Sequence, residues 1–159
     1  MNSKANVLIV DDEEVVRLSH LRSLASIDCN ALVVEDGTKA LEAMERQAFD
    51  VILLDLRMPD LDGMDVLRTV KKRWPECEVV VITGYPSIES AKEAVRLGAQ
   101  NYLAKPLCPD EVVKATTDAM TQKQWALRSY CKGQDAEYLA AHGSWSAPTV
   151  PPTRKGDMS

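Results

Sequence analysis

Three carboxylates, one hydroxyl and one ammonium occupy comparable places along this 159-residue chain. Asp11 and Asp12 follow the apolar run 7–10, and Asp55 follows 51–54. Thr83 closes the run 79–82 with Gly84 after it, and Lys105 follows 101–104 and precedes Pro106. If those runs are parallel strands, all five groups meet at one edge of a sheet. Carboxylates gathered within a few ångströms repel one another, so one must take up a proton or a cation must intervene. Hard oxygen donors suit Mg²⁺, which uses one or two carboxylates, keeps waters and bridges to phosphate. Lys105 is then the second positive charge, and Thr83 a hydroxyl able to donate to a phosphoryl oxygen. A carboxylate in such a place is a competent nucleophile toward phosphorus, forming a mixed anhydride.

Taken singly, each residue has an ordinary explanation. Asp12 could cap a helix, Asp55 could open a turn in "DVILLDLRMPDLDG", Thr83 could be a β-branched strand residue, and Lys105 a solvated loop charge. What favours chemistry is the repetition of the same placement, strand end after strand end.

The elements that must position these groups are legible as alternating patterns. Strands are predicted at 6–10, 31–34, 51–54, 79–83 and 101–104. Three are Val/Ile/Leu runs without polar alternation, as strands covered on both faces require. Helical spacing lies between them: Val15, Leu18, Leu21 with Arg22, and Ala25; then Ala40, Leu41 and Met44. Val66, Leu67 and Val70 mark a third helix, and Ile88, Ala91, Ala94 and Val95 a fourth. A fifth covers 110–120, opened by Pro109 and continuing through Trp125 and Leu127. Five strands alternating with five helices predict an α/β doubly wound parallel sheet, whose ligands bind beyond the carboxyl ends of the strands.

Composition sets the outer bounds. The chain carries 45% hydrophobic residues and a net charge of −5, which argues against a nucleic-acid-binding surface. Cys29, Cys77, Cys108 and Cys131 form no metal-binding or disulfide pattern, and reduced thiols in a cytoplasmic protein are expected. No run reaches the roughly 18 apolar residues of a spanning helix, and "DDEE" cuts the first apolar run short of a signal peptide. No membrane association is expected.

The stretches "VLIVDDEE", "DVILLDLRMPDLDGMDVL" and "VVVITGYPSIESAKEAVRLGAQNYLAKPL" resemble the receiver domain of bacterial two-component response regulators. The likeness spans about residues 5–122 and is nearest to receivers of the nitrogen-regulation type. It implies a flavodoxin-like (βα)5 fold with strand order 2-1-3-4-5. It also implies that Asp55 is the phosphoacceptor, Asp12 a direct Mg²⁺ ligand and Asp11 a ligand acting through metal-bound water. Asp55 and the backbone carbonyl of Arg57 complete the metal's protein ligands. Thr83 becomes the switch hydroxyl, Lys105 the phosphate's partner, Tyr102 the aromatic switch residue and Lys105–Pro106 a cis peptide bond. Arg57 and Tyr85 stand two residues beyond Asp55 and Thr83, where the family modulates phosphoryl lifetime; their bulk predicts a shielded, long-lived phosphoryl group. Gly84 leaves access beside Thr83.

The resemblance implies a sensor histidine kinase or phosphotransfer protein as phosphodonor and a downstream protein target. A homodimer through the fourth and fifth helices is left open. The domain reading is a receiver over 1–124 and an extension over 125–159, with one further short helix at 135–141 and a Pro/Ser/Thr-rich tail. The extension either packs locally through Trp125 and Tyr130 or serves in docking or dimerisation. The absence of a phosphate-binding loop and of a second apolar core predicts a stand-alone receiver signalling by protein contact. Two rivals come from other classes. One is an Asp-nucleophile phosphatase on a free substrate, against which stands the missing Asp-x-Asp pair. The other is a nucleic-acid-binding regulator in its own right, against which stand the acidic charge and the missing recognition helix. The receiver portion of a transcription regulator is a further alternative.

Overall fold

Strand β3 (Val51–Leu54) is the most deeply buried element, none of its four side chains more than 2% exposed. In this computed structural model, which describes residues 4–130 and their side chains as far as Lys123, it lies at the middle of a five-stranded parallel sheet ordered β2-β1-β3-β4-β5. The other strands are β1 (Ala5–Val10), β2 (Cys29–Val34), β4 (Glu78–Thr83) and β5 (Asn101–Ala104). The strands alternate with helices α1 (Glu14–Leu24), α2 (Gly37–Arg46), α3 (Gly63–Arg73), α4 (Ile88–Arg96) and α5 (Pro109–Tyr130). The expected α/β order is therefore the observed one.

Two apolar cores cover the sheet, one on each face. Ala40, Met44, Val66, Leu67 and Val70 of α2 and α3 pack on Leu8, Ile52, Leu54, Val79 and Val81. Leu24 of α1 with Val112, Ala115 and Ala119 of α5 pack on Val7, Ile9, Val51, Leu53 and Ile82. Alternate residues of one strand feed opposite cores, which is why these strands read as unbroken apolar runs.

Two helices depart from their predicted faces. On α1 the predicted Val15, Leu18, Arg22 and Ala25 lie on the solvent side, with Val15 79% exposed, while the predicted Leu21 packs against the second core. The buried arc is His20, Ser23 and Leu24. Two polar residues on the inward arc disguised it, and apolar residues on the outward arc supplied a false stripe of the right period. Burial pulls the His20 pKa below the ordinary imidazole value, against the pull of Asp11, and Lys105 adds to the fall. On α4 the small Ala94 is buried, whereas Ile88 and Val95 lie at 71% and 63% exposure. The helix turns a narrow arc of small side chains to the sheet and leaves two larger ones outside.

Residues up to Lys123 form one compact unit. The backbone of α5 continues through Trp125 and Leu127 to Tyr130. The readings made for the side chains of Trp125 and Tyr130, and for 135–141 and the tail beyond, lie outside the described residues. Among the described residues no helix is long and apolar enough to cross a membrane.

Candidate functional site

In-register pairing decides which residues become neighbours. Val10 pairs with Leu54, so the residues that follow them, Asp11 and Asp55, leave the sheet side by side. Thr83 pairs with Ala104, which sets Lys105 beside the end of β4. Backbone bonds prolong the sheet by one step: Asp55 N–H donates to the Val10 carbonyl at 3.0 Å, and Lys105 N–H to the Thr83 carbonyl at 2.8 Å.

Four of the five predicted groups meet here, and the fifth, Thr83, ends the neighbouring strand β4. Lys105 Nζ lies 2.8 Å from Asp11 Oδ2, 3.5 Å from Asp55 Oδ2 and 3.6 Å from Glu13 Oε1. Carboxylate oxygens of Asp11, Asp12 and Asp55 lie within 4.8 Å of one another. Asp11 and Asp55 are buried and Asp12 is exposed. An open cleft of about 520 Å³, lined by Asp12, Glu13, Asp55, Arg57, Tyr85 and Lys105 among others, leads to them. Thr83 is buried, and its Oγ1 accepts the Tyr85 amide hydrogen at 3.0 Å, leaving its own proton free to donate.

Charge in this corner is out of balance. Burial first, then the negative charge of Asp11, pushes the Asp55 pKa up to about 6; Lys105 and the Arg57 amide pull the other way and Asp12 adds to the rise. Burial would lower the Lys105 pKa, but the hydrogen bond and charge of Asp11, with Asp55 and Glu13, outweigh it and hold the ammonium above its ordinary value. One lysine does not neutralise the carboxylates around it. The donor set of clustered oxygens, one carboxylate exposed at the mouth, fits a hard divalent cation.

The caps were allotted differently from the simplest reading. Asp12 does not cap α1; the Glu13 amide, at the helix's N-cap position, donates to Asp11 Oδ1 at 2.9 Å. Nor does Asp55 cap α3. That helix is capped by Asp62, which accepts from Met64 N–H, while Asp55 Oδ1 accepts from the Arg57 amide at 3.2 Å. Gly63 lets α3 start against the strand end: a Cβ there would stand 2.5 Å from both the Asp55 carbonyl oxygen and Leu56 Cα. Gly84 is less constrained, since the nearest atom to an added Cβ would be Lys105 Cδ at 3.8 Å. Access at Thr83 therefore does not depend on glycine alone.

Arg57 and Tyr85 do more than flank the cleft. The Arg57 guanidinium lies 4.2 Å from the centre of the Tyr85 ring, a cation–π pair across the mouth. Tyr102, half-buried, sends its phenol oxygen to the start of α4. The Lys105–Pro106 peptide bond is cis.

Two residues escaped the sequence reading. Glu13 reaches Lys105, and the "DDEE" run was its only signal. Asp60 accepts from Gly37 N–H at 3.2 Å, Thr38 N–H at 3.1 Å and the Thr38 hydroxyl at 2.7 Å, tying the loop after β3 to the start of α2. Burial is the largest single influence and raises its pKa, but those bonds and the Leu61 amide together outweigh it and bring the value down to about 2. Nothing local in "MPDLDG" distinguishes that clamp from a turn acid.

The family model of the response regulator receiver domain matches residues 7–117. The chain belongs to the response regulator receiver family. It is 35% identical over 136 residues to the regulatory protein LuxO of Vibrio cholerae, covering 86% of this chain and 30% of that protein. It is 35% identical over 118 residues to the DNA-binding transcriptional regulator NtrC of Escherichia coli K12, covering 74% and 25%. Among solved structures, NtrX of Brucella abortus superimposes with a TM-score of 0.74 at 30% identity, over 79% of this chain and 29% of that one. A CheY-like receiver from Methanospirillum hungatei shares the fold with a TM-score of 0.75 at 24% identity, over 78% and 99%. The chain thus spans under a third of the regulators LuxO and NtrC.

Proposed function

We propose that Asp55 accepts a phosphoryl group from a histidine kinase or phosphotransfer protein. The observation that supports this most is one buried carboxylate, Asp55, with Lys105 Nζ at 3.5 Å, carboxylate oxygens of Asp11 and Asp12 within 4.8 Å, and an open cleft before it. A carboxylate oxygen of Asp55 attacks phosphorus, an O–P bond forms, and the P–N bond to the donor imidazole breaks. Lys105, anchored by Asp11, is placed to hold an anionic phosphoryl oxygen. Thr83 retains a hydroxyl proton for another. Asp11, Asp12 and Asp55, with the Arg57 backbone carbonyl, would hold Mg²⁺, whose chemistry when bound is to offset charge between two anions. Beyond this self-phosphorylation and the reverse loss of phosphate to water, no enzymatic turnover is proposed.

Output follows by contact with a downstream protein. The Thr83 hydroxyl drawn to the phosphoryl group would carry the loop after β4 with it, and Tyr102 would follow. To turn a 1:99 population over, phosphorylation must favour the active form by about 5.5 kcal/mol. Charge-assisted bonds of roughly 1.5–3 kcal/mol each supply that. Ile88 and Val95, exposed on α4, offer an apolar surface for a target or a second copy of the chain. A second reading, the receiver portion of a transcription regulator, is favoured by the LuxO and NtrC relatives. The receiver over 1–124 is the unit we propose to carry the switch in either case.

The test is labelling by a small acyl-phosphate donor, read as intact mass. Wild type with Mg²⁺ should gain one phosphoryl group; wild type in EDTA and Asp55→Asn should not. Equal labelling of Asp55→Asn would end the proposal.

A further inference from the structure

The loop between β4 and α4, residues 84–87, is tied at both ends by side-chain hydroxyls. At its start the Tyr85 amide donates to Thr83 Oγ1 at 3.0 Å. At its end the Ser87 amide donates to the Tyr102 phenol oxygen at 3.2 Å. The same phenol oxygen is hydrogen-bonded to Ser90 Oγ. Ser87 Oγ in turn accepts the Ser90 amide hydrogen at 3.0 Å, as the N-cap of α4, and donates to Ser90 Oγ at 2.9 Å. A helix cap ordinarily closes on its own first turn. Here it is extended by two hydroxyls to a side chain on a different strand.

The consequence is mechanical. Tyr102 is half-buried, and its ring packs against the core shared by α2, α3 and the sheet. Its phenol therefore cannot leave the start of α4 without breaking bonds to Ser87 N–H and Ser90 Oγ. Conversely, α4 cannot slide along the sheet without dragging or releasing the phenol. Ser90 is half-buried, so water competes less well for its bond than at a free surface.

We propose that Ser90 is a positioning residue of the switch: its hydroxyl, with the Ser87 amide, latches the Tyr102 phenol to the N-terminus of α4, so that ring and helix move as one. Ser90 acts through Tyr102 and does not touch the reacting atoms. The inference rests on the proposed phosphoryl switch at Asp55, but the latch itself exists without phosphate and can be tested without it.

The experiment is a double-mutant cycle on the whole chain with Ser90→Ala and Tyr102→Phe, read by exchange of the Ser87 amide hydrogen. Tyr102→Phe keeps the ring and its packing, so a packing role alone would leave that amide unmoved. Each single variant should lose roughly fivefold in protection, the population change that one net hydrogen bond supplies. The double variant should lose no more than either single one, and Ser90→Thr, which restores the hydroxyl, should recover wild-type protection. In phosphorylated protein, the exchange change across α4 should shrink in Ser90→Ala while the labelling rate stays within about twofold of wild type, as expected for one hydrogen bond remote from the chemistry. Additive losses, an unmoved Ser87 amide in either single variant, or a larger change in labelling rate would overturn the latch. Failure of wild type to label at all would instead strike the proposed function and leave the unphosphorylated cycle to stand or fall by itself.

Discussion

At the amino end of the sheet Asp50 and Glu78 face Lys71 and Lys123, whereas at the carboxyl end Asp11, Asp12, Asp55 and Glu13 crowd around Lys105. Asp50 accepts the Asn6 amide hydrogen at 2.7 Å and pairs with Lys123 at 2.8 Å. Burial raises the Glu78 pKa, and both lysines pull against that rise. Acids and bases there are matched, and the result is a fastening. At the other end the match fails, and the Asp55 pKa stands at about 6. Similar residues in similar places along neighbouring strands thus give a structural joint at one end and a reactive site at the other. What separates them is burial together with charge: Asp11 and Asp55 are buried with one lysine in reach, whereas Asp50 and Glu78 are half-buried and face two.

The largest effect should come from removing the one lysine at the unbalanced end. Lys105→Ala should slow acyl-phosphate labelling by about 100-fold or more, as loss of a preorganised charge contact at a reacting anion does. Rates are read from time courses of intact mass, and a loss under tenfold would mean that the imbalance is not what Lys105 serves.

Next is the stability of the acid pair itself. Because the folded pKa of Asp55 lies above that of an unfolded aspartate, the folded state holds more protons between about pH 4 and 6. Stability contributed by this group therefore falls as pH rises through that window and stays low above it. Without Mg²⁺, Asp55→Asn should stabilise the protein at pH 7.5 by about 2–3 kcal/mol and leave it little changed near pH 4. Denaturant unfolding at both pH values checks this, and destabilisation at pH 7.5 would contradict the imbalance.

The opposite end should respond in the opposite way. Asp50→Asn removes the charge facing Lys123 but leaves an acceptor for the Asn6 amide. It should cost about 1 kcal/mol in denaturant unfolding with labelling unchanged. A labelling defect would show that the two ends are not independent.

The smallest effect concerns lifetime. Arg57 and Tyr85 stack where both line the cleft, and we propose that the pair shields the phosphoryl group from attacking water. Arg57→Ala combined with Tyr85→Ala should shorten the phosphoryl half-life several-fold, on the order of the 1 kcal/mol that such a pair contributes. Decay followed by mass after removal of the donor decides it, and an unaltered half-life removes the shielding role.

Much of this was legible in the chain because strand ends advertise themselves. The runs before Asp11, Asp55 and Thr83 are apolar on both faces, so their ends can be read to within a residue or two. Register then followed from the parallel topology. The helices were harder where the buried arc is polar or small. His20 and Ser23 hid the inner face of α1, and Ala94 gave α4 too little apolar mass to outweigh Ile88 and Val95 outside. The Asp60 clamp, the Arg57–Tyr85 stack and the Ser90–Tyr102 contact were invisible for a different reason. Each joins residues brought together only by the fold, with no periodicity to betray it.

The most direct test is to map where phosphate lands. Protein treated with an acyl-phosphate donor and Mg²⁺, trapped by borohydride reduction and cleaved, should carry a reduced residue at position 55 and at neither 11 nor 12. Reduction at Asp11 or Asp12, or labelling of Asp55 to the same extent in EDTA, would contradict the claim that an unbalanced, cation-requiring cluster makes this one aspartate the acceptor.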